Sequence, residues 1–326
     1  MKVLLTGGNG FVGSHILDTL RERGVETAIL LRPGSNKRFL DSSLPEVEVR
    51  SGSVTNPESL RPALSGITHV IHCAGRILAS RTSDFYDTNH LGTRNVVEAV
   101  NACNPSVKRL VHVSSLAAAG PATPSRPAKE EDTPRPVTEY GKSKLAGELE
   151  VREFCRTPYT ILRPPAVYGP RDSGFLPMFR AVKHHLLPRP SSRQVLSLVF
   201  VRDLAEAIVS CLEEPMAAGK TYFVAGGEQV TALQMAEEIA RQMGAWTLPC
   251  PLPAAVLWWV CLAQDIVSRF TRKPALLSLS KFAELRAPGW VCDGSRLQQE
   301  LGYRCRTTLQ QGIAECLQWY RQANWL

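Results

Sequence analysis

The side chains best suited to proton transfer in this sequence are Tyr140 and Lys144, which stand four residues apart. In a helix that spacing places both on one face, one turn from each other. A free phenol titrates at about 10, but an adjacent cation lowers its pKa by about 1–3 units. We therefore predict that Tyr140 exchanges a proton with a carbinol or carbonyl oxygen and that Lys144 supplies the electrostatic field.

A glycine-rich turn near the N-terminus predicts where a dinucleotide binds. A short apolar run, Lys2–Thr6, leads into Gly7, Gly10 and Gly13 and then into an amphipathic segment. Glycine permits a tight turn at the first position, backbone approach to a pyrophosphate at the second, and close helix–strand packing at the third. The pyrophosphate would then accept hydrogen bonds from free N–H groups at the helix N-terminus.

The residues after the second apolar run indicate which dinucleotide is preferred. No carboxylate occurs between Thr27 and Leu40, where an acidic residue would accept a hydrogen bond from the 2′-hydroxyl of NAD. Arg32, with Lys37 or Arg38, could instead clamp the 2′-phosphate of NADP. Because a charge-assisted hydrogen bond contributes roughly 1.5–3 kcal/mol, we expect a preference of about 10- to 100-fold for NADP(H). If Arg32 only stacks on the adenine, NAD(H) fits equally well.

Short apolar runs alternate with amphipathic segments over the first half of the chain, which predicts an α/β fold. The predicted strands are Lys2–Thr6, Thr27–Arg32, Val47–Arg50, His69–Cys73, Arg109–Ser114 and Tyr159–Arg163. The predicted helices between them are Phe11–Arg23, Pro57–Leu64, Phe85–Ala102 and Tyr140–Cys155. Because the strands are apolar along most of their length, we expect a doubly wound parallel Rossmann sheet that is covered on both faces.

The pattern changes after Arg163, where residues 164–195 hold six prolines. We predict that a strand-and-helix unit at Leu196–Glu214 returns to the sheet. The helices Gln234–Gly244, Pro253–Phe270 and Thr308–Arg321 would form a smaller, mainly helical C-terminal domain. The predicted dinucleotide-binding domain comprises residues 1–164 plus about 196–214, and the substrate-binding domain comprises about 165–195 and 215–326.

Composition excludes several classes of protein. A chain that is 44% hydrophobic and 21% charged is typical of a folded globular protein rather than a disordered one. The net charge of +8 suits a nucleic acid, a membrane surface or a phosphorylated ligand, but no basic stripe is interleaved with aromatic residues, so no nucleic-acid partner is predicted. The 9 cysteines form no Cys-x-x-Cys, and we expect reduced thiols, no metal site and a cytoplasmic protein. The N-terminus reaches glycine too soon for a signal peptide, and no segment has the ~18 apolar residues of a spanning helix.

Several motifs follow one another in the order known from one enzyme family. They are Thr6 with glycines 7, 10 and 13, His72-Cys73-Ala74-Gly75, Asn89-His90-Leu91-Gly92-Thr93, Arg163-Pro164-Pro165-Ala166-Val167-Tyr168-Gly169-Pro170-Arg171 and Phe200-Val201-Arg202-Asp203-Leu204-Ala205. With the Tyr140-x-x-x-Lys144 pair, they resemble the extended branch of the short-chain dehydrogenase/reductase superfamily, the NAD-dependent epimerase/dehydratase family. The resemblance implies an NAD(P)-dependent enzyme on a Rossmann fold.

The resemblance also implies roles for individual residues. The family's catalytic Ser or Thr stands five residues before a glycine, which selects Ser115, and Ser114 is the alternative or a structural or cofactor-side hydroxyl. Lys144 would also hold the ribose hydroxyls. Ser53 stands where the family usually has Asp, so the adenine amino group would lose a carboxylate partner. The residues expected at the cofactor are Thr6, Gly7, Gly10, Phe11, Val12, Gly13, Arg32, Ser53, Val54, Cys73, Ala74, Gly75, Asn89, Ser114, Tyr140, Lys144, Pro164, Ala166 and Val167.

The reaction is predicted from positions at which the relatives differ. Sugar dehydratases place an Asp-Glu pair where this chain has Leu116-Ala117, and the familiar nucleotide-sugar epimerases have Asn at the position of Ala166. The segments around Ser115 and Arg163 resemble instead 3-beta-hydroxysteroid dehydrogenases and dihydroflavonol reductases, as do Trp290-Val291-Cys292-Asp293, Leu301-Gly302-Tyr303 and Trp319-Tyr320.

We therefore predict an NADP(H)-preferring oxidoreductase that interconverts a secondary alcohol and a ketone on a largely apolar, steroid-like or flavonoid-like small molecule. An NAD-dependent nucleotide-sugar epimerase is the second hypothesis, and a non-catalytic NADP-binding redox sensor is the third. A homodimer is expected.

One apolar segment, residues 252–273, lies outside these motifs. It contains Trp258 and Trp259 and ends in the cations Arg269, Arg272 and Lys273. Paired tryptophans beside cations suit a helix at a membrane surface or a lid over an apolar pocket. An ordinary core or dimer helix is the alternative.

Overall fold

The computed structural model describes residues 1–40, 46–103, 106–190, 194–271, 274–275 and 278–326. Seven parallel strands within these residues form the main sheet. They are β1 Lys2–Thr6, β2 Glu26–Leu31, β3 Glu48–Ser51, β4 His69–His72, β5 Arg109–Val113, β6 Tyr159–Arg163 and β10 Lys220–Phe223, in the spatial order β10-β6-β5-β4-β1-β2-β3.

Helices cover both faces of this sheet, because consecutive side chains of a strand point to opposite faces. Val3 and Leu5 of β1 pack in one buried cluster with residues of α1 (Phe11–Glu22) and α8 (Val201–Ser210). Leu4 packs in a second cluster with residues of α2 (Leu60–Ala63), α4 (Gly92–Cys103) and α6 (Glu139–Phe154). The predicted doubly wound Rossmann sheet is thus confirmed.

The strand order fixes where a ligand can bind. β1 lies between β2 and β4, and Thr6 at its carboxyl end pairs with His72 at the end of β4. The chain winds outward in opposite directions on the two sides of this point. In parallel sheets, a crevice for ligands opens outside the carboxyl ends of the strands at such a switch point.

The remaining described elements form a smaller part beside the crevice. Strand β9 (Val195–Phe200) pairs with β7 (Ala166–Tyr168), β11 (Gln229–Thr231) and β13 (Gly289–Trp290), and β8 (Leu186–Pro190) pairs with β12 (Leu248–Leu252). The helices of this part are α7 Leu176–Lys183, α9 Ala232–Met243, α10 Ala254–Thr271, α11 Leu279–Arg286, α12 Ser295–Leu301 and α13 Leu309–Gln322.

The prediction that the strand after Leu196 returns to the main sheet is wrong. That strand is β9, which belongs to the small sheet, whereas the strand added beside β6 is β10. The helix of the same unit, α8, does pack against α1 on the main sheet. The apolar pattern of residues 196–210 indicated burial correctly, but burial does not specify which sheet a strand joins. The division of the chain into two domains remains a prediction.

Two predicted helices contain irregular turns. The predicted helix Phe85–Ala102 consists of α3 (Thr82–Tyr86), a π-helical turn at Asp87–Leu91 and α4. The predicted helix Pro57–Leu64 begins with a 3₁₀ turn, Pro57–Ser59, and continues as α2. A short helix, α5 (Leu116–Ala119), follows β5. π turns occur often at functional sites, and this one carries Asn89.

Within the described ranges, no helix combines the length and apolar character needed to cross a membrane. In the same ranges, no group of three or more His, Cys, Asp and Glu side chains is arranged to hold a metal ion.

Candidate active site

The loop between β1 and α1 has the shape of a phosphate cradle. Gly7 has a φ of +74°, and a Cβ there would lie 2.7 Å from the Ala74 nitrogen. A Cβ at Gly13 would lie 2.0 Å from the Gly7 carbonyl oxygen. Gly10 is the N-cap of α1, and neither a side-chain cap nor an acidic residue occupies the first turn of the helix. The N–H groups of Phe11, Val12 and Gly13 are therefore available to an anion such as a pyrophosphate.

Cations lie beside this loop, at the end of β2. Asn9 Nδ2 donates a hydrogen bond to the Asn36 carbonyl oxygen at 3.1 Å, which joins the two loops. Arg32 and Lys37 are exposed, and neither forms an ion pair with a carboxylate in the part of the chain that the structure describes. Both are therefore available to a phosphate group.

Arg38, the alternative partner of Arg32, is engaged elsewhere. Its guanidinium carbon lies 4.4 Å from the centroid of the Phe39 ring and 5.1 Å from that of Trp325. Stacking of this kind holds a guanidinium over aromatic faces. Lys37 is thus the better candidate to act with Arg32.

Ser53 and Val54 form a turn after β3. Ser53 Oγ lies 2.8 Å from Thr55 Oγ1, and the Ser53 N–H donates to Ser59 Oγ at 2.9 Å. Val54 is buried, and its carbonyl accepts a hydrogen bond from Asn95 Nδ2. The turn therefore presents a hydroxyl that is engaged with a second hydroxyl, where the family usually has a carboxylate.

A buried chain of hydrogen bonds positions the turn after β4, which contains Cys73, Ala74 and Gly75. Thr6 Oγ1 lies 2.8 Å from His72 Nδ1 and accepts a hydrogen bond from the Ala74 N–H at 3.2 Å. His72 Nε2 lies 3.0 Å from Thr93 Oγ1. Burial lowers the pKa of His72 to about 3, so the imidazole is neutral. Its two ring nitrogens link the Thr6 and Thr93 hydroxyls.

Asn89 fixes the same turn against α6. Its Oδ1 accepts from the Arg76 N–H at 2.7 Å, and its Nδ2 donates to Ser143 Oγ at 2.9 Å. A Cβ at Gly75 would lie 3.3 Å from Asn89 Oδ1 and 3.8 Å from Lys144 Nζ. Asn89 is fully buried and acts by positioning the turn, while Gly75 leaves room beside the Lys144 ammonium.

The two hydroxyls proposed for proton transfer are brought together by α5 and α6. Ser115 is the N-cap of α5, where its Oγ accepts from the Ala117 N–H at 3.1 Å. Thr138 caps α6, which carries Tyr140 in its first turn. The Ser115 side chain acts to lower the pKa of the Tyr140 phenol, which places the two residues near each other. Gly141, a position to which the sequence analysis gave no role, lets the backbones of α5 and α6 touch.

Burial is the largest cause of the pKa shifts of Tyr140 and Lys144. Desolvation raises the pKa of Tyr140 to about 12, and the Ser115 side chain opposes this rise only in part. The prediction that the pKa of this phenol is lowered is therefore wrong, because desolvation raises it. Burial lowers the pKa of Lys144 to about 8, and its Nζ donates to the Val113 carbonyl oxygen at 2.7 Å. At neutral pH the phenol is protonated and the amine is largely charged.

Ser114 contacts a buried ion pair. Its Oγ donates to Glu148 Oε1 at 2.6 Å, and Arg163 donates to both oxygens of Glu148, at 2.8 and 2.7 Å. Glu148 and Arg163 are 0% and 1% exposed. The Ser114 hydroxyl is thus engaged with Glu148, which suits the structural alternative, while its catalytic and cofactor-side alternatives stay predictions. The pairing of Glu148 with Arg163 was not predicted, because the two residues lie on different elements and no local sequence pattern connects them.

The segment after β6 borders the crevice. The Pro164 carbonyl accepts from the Leu116 N–H at 2.8 Å, so this segment lies against the residue after Ser115. Ala166 and Val167 begin β7 and are half-buried. Val167, Val12 and Cys73 pack against one apolar cluster, so the three predicted cofactor segments share a common core.

An apolar wall begins next to Ser115. Leu116, Ala128, Phe223 and Cys292 form a buried cluster with which Trp290 packs. The Trp290 indole donates to the Glu284 carbonyl of α11 at 3.0 Å, and the Glu284 charge acts on the Tyr140 phenol. The C-terminal part of the chain therefore packs apolar side chains and one helix beside Ser115 and Tyr140.

These features define a class of protein: a Rossmann-fold enzyme of the dinucleotide-binding type, in which Ser115, Tyr140 and Lys144 are the candidate proton-transfer residues. The sequence model of the NAD dependent epimerase/dehydratase family matches residues 3–226. The chain belongs to this family of the extended short-chain dehydrogenase/reductases and is an NAD(P)-dependent enzyme.

Relatives within the family differ in reaction. The chain is 29% identical over 325 residues to the ceramide reductase of Caulobacter vibrioides, covering 99% of this chain and 96% of the relative. It is 30% identical over 342 residues to the UDP-glucose 4-epimerase of Vibrio cholerae, again with 99% and 96% coverage. Its fold is similar to that of the Thermus thermophilus UDP-glucose 4-epimerase in complex with NAD, with a TM-score of 0.78, 25% identity, and coverage of 99% and 100% of the two chains. A reductase and an epimerase are thus similar to this chain to nearly the same degree.

Proposed function

We propose that the protein is an NADP(H)-preferring oxidoreductase that interconverts a secondary alcohol and a ketone on a largely apolar, lipid-like molecule. The observation that carries this proposal is that the close contact of α5 with α6 brings Ser115 and Tyr140 together beside an apolar wall that starts at Leu116. Steroid-like, flavonoid-like and long-chain lipid ketones share the required chemistry, which is a carbonyl on an apolar body.

The residues present can perform such a reduction without further groups of the protein. The bound dinucleotide supplies the hydride that is added to the carbonyl carbon. Tyr140 is protonated at neutral pH and donates its proton to the carbonyl oxygen, and Ser115 donates a hydrogen bond to the same oxygen. The Lys144 ammonium stabilises the phenolate that remains until solvent returns the proton. In the reverse direction, the phenolate of Tyr140 accepts the proton of the alcohol while the hydride passes from the carbinol carbon to the oxidised dinucleotide.

The position after Ser115 favours this reaction over that of the sugar dehydratases. Leu116 is buried and Ala117 has no ionisable group, so neither residue can remove a proton from a substrate carbon. A simple exchange of hydride and proton at one carbon needs no such base. The name of the Caulobacter relative, a ceramide reductase, supports both the redox reaction and a lipid substrate.

The cradle around Gly7 and Gly13 fits a dinucleotide, and its cations favour NADP(H) over NAD(H). Arg32 and Lys37 stand exposed at the end of β2, next to the loop that would hold the pyrophosphate. A 2′-phosphate would accept charge-assisted hydrogen bonds from both, whereas a 2′-hydroxyl would not.

An NAD-dependent nucleotide-sugar epimerase is the second candidate. It is favoured by the 30% identity to the Vibrio cholerae UDP-glucose 4-epimerase. Ala166, where the familiar epimerases have Asn, counts against it. The third hypothesis, a redox sensor without catalysis, does not explain why Ser115, Tyr140 and Lys144 lie together.

A direct assay of coenzyme oxidation distinguishes these candidate functions. The purified protein is mixed with NADPH or NADH and with a steroid ketone, a dihydroflavonol or a long-chain keto-lipid, and loss of the reduced coenzyme is followed by absorbance. We expect turnover of at least one of these ketones with NADPH, and none by the Tyr140→Phe variant. Interconversion of UDP-glucose and UDP-galactose with no net change of coenzyme would establish the epimerase instead.

A further inference from the structure

Helix α10 carries a continuous apolar stripe on its exposed side. The stripe consists of positions that recur every three or four residues and therefore lie along one helix face. Its members, with their exposed fractions, are Val256 (53%), Trp259 (64%), Val260 (39%), Ile266 (47%), Val267 (57%) and Phe270 (84%), together with the exposed Ala263. We call this set the α10 stripe. Since Trp259 is largely exposed and Trp258 is 37% exposed, the two indoles are not core residues.

The rest of the chain holds α10 by its other side. Cys261 and Ser268 are buried and lie on the face opposite the stripe. Asp265 accepts a hydrogen bond from the Leu279 N–H at 2.9 Å, which ties α10 to the start of α11. The helix is thus fixed in place with its apolar face turned outward, and an apolar surface of this extent marks an interaction site.

The surroundings of the α10 stripe carry positive charge. Residues 244–264, which lead into the helix and form its first half, contain neither Asp nor Glu. Residues 173–202 include strand β8, the partner of β12, and contain five Lys or Arg residues without any Asp or Glu. Of these cations, Lys183 and Arg189 are exposed, and neither pairs with a carboxylate within the described ranges. Arg272 and Lys273 lie outside the described residues.

We propose that the α10 stripe docks on the surface of an anionic lipid bilayer. An amphipathic helix of this kind lies in the plane of the interface, with its aromatic side chains among the acyl chains and nearby cations at the headgroups. The stripe extends over about 21 Å at 1.5 Å per residue, which is long enough to lie along a membrane. A second copy of the chain is the poorer partner, because the cations beside the two stripes, Lys183 and Arg189 of each copy, would repel each other.

Docking would place the lipid phase next to the active site. Helix α11 follows α10, and its Glu284 charge acts on Tyr140 while its last turn is held by Trp290. Gln194 Nε2 donates to the carbonyls of Glu284 and Ala287, at 2.7 and 2.8 Å. The site and the membrane-facing helix are therefore linked by one packed unit. The docking proposal itself rests on α10 alone and holds whatever the substrate is.

Vesicle flotation with the full chain tests the proposal. Wild type is mixed with vesicles of phosphatidylcholine alone or of phosphatidylcholine with phosphatidylglycerol, at low and high salt. We expect binding to the anionic vesicles only, weakened by salt. The double variant Trp259→Ser, Phe270→Ser should lose binding by about tenfold or more, because it removes two large apolar side chains from the contact. A Lys183→Glu, Arg189→Glu variant should lose the preference for anionic vesicles.

The matched control is Val49→Ser with Met216→Ser, which removes two apolar side chains that are 45% and 55% exposed away from α10. This variant should float as the wild type does, and NADPH binding and melting temperature confirm that every variant is folded. Failure of the wild type to float, or equal flotation of wild type and the stripe variant, would overturn the proposal. A wild-type dimer in solution that the stripe variant converts to a monomer, without vesicle binding, would assign the stripe to a second copy instead.

Discussion

Gly141 of α6 lies so close to Ala117 of α5 that a Cβ at position 141 would stand 2.3 Å from the Ala117 carbonyl oxygen. The contact sets the distance between Ser115, which caps α5, and Tyr140, which begins α6. Chemistry at one oxygen atom needs both hydroxyls within hydrogen-bond range, so the spacing of these two helices is part of the catalytic geometry.

Substituting Gly141→Ala should therefore slow turnover without removing any reacting group. The added methyl must push the helices apart, and a displacement of this kind costs about 10²-fold in rate when it separates catalytic groups. The affinity for NADPH should change little. The matched control is Gly227→Ala, since a Cβ at Gly227 would meet no atom within 4 Å. Equal rates in the two variants would show that the contact does not set the catalytic distance.

The two hydroxyls should differ in what their removal costs. Tyr140→Phe removes the only proton that is transferred, so turnover should fall by about 10²–10⁴-fold while NADPH affinity is nearly unchanged. Ser115→Ala leaves the transferable proton in place but removes an oxyanion donor, with an expected loss of about 10²–10³-fold in kcat. Single-turnover rates with saturating NADPH measure both. Wild-type-like turnover of the Tyr140→Phe variant would refute the mechanism.

Coenzyme preference should follow Arg32. Arg32→Asp should weaken NADPH binding by about 10- to 100-fold, since one charge-assisted hydrogen bond is lost and a carboxylate faces the phosphate. NADH binding should improve, because the new carboxylate can accept from the 2′-hydroxyl. Lys37→Ala should weaken the binding of NADPH and leave the binding of NADH unchanged. Fluorescence titration of the wild type and the two variants with each coenzyme gives the six dissociation constants.

Arg38→Ala is the control for this series, since its guanidinium is stacked on Phe39 and Trp325. The ratio of NADPH to NADH affinity should stay the same in that variant. A wild type that binds NADH as tightly as NADPH would remove the basis of the assignment to NADP(H).

NADPH affinity should fall above a pH of about 8, because burial lowers the pKa of Lys144 to about 8 in the free protein. Below that value the ammonium is charged and available to the coenzyme. As pH rises through the pKa, binding must take up a proton, and the dissociation constant should increase by up to about tenfold per pH unit. The Lys144→Met variant should bind more weakly at pH 7 and show no such slope. A flat profile for the wild type would contradict the role of Lys144 in holding the coenzyme.

The local structure that the sequence predicted around four candidate site residues is present in the fold, and the four positions share one property, which is that neighbours in the chain set their geometry. Gly7 and Gly13 stand between a strand and a helix, and Tyr140 and Lys144 stand one helical turn apart, so neighbours in the chain determine their geometry. Strand β10 was missed because four residues of moderate polarity do not reveal which strand they will pair with. The pKa of Tyr140 was predicted in the wrong direction because it depends on desolvation, which only the assembled fold determines.

The ion pair of Glu148 and Arg163 could not be predicted from the sequence for the same reason. We expect this pair to stabilise the folded protein. The pair is buried between α6 and β6, and Arg163 Nη1 has no partner within the described chain even when the pair is intact. Glu148→Gln would leave the guanidinium charge uncompensated in the core, which should cost about 3–5 kcal/mol of unfolding free energy. The control is Glu238→Gln, which breaks a surface pair with the largely exposed Arg241 and should cost less than about 1 kcal/mol. Urea denaturation of the three proteins compares these costs. Similar midpoints for the two variants would mean that water or a shifted side chain compensates Arg163, and that the pair is not what holds α6 against the sheet.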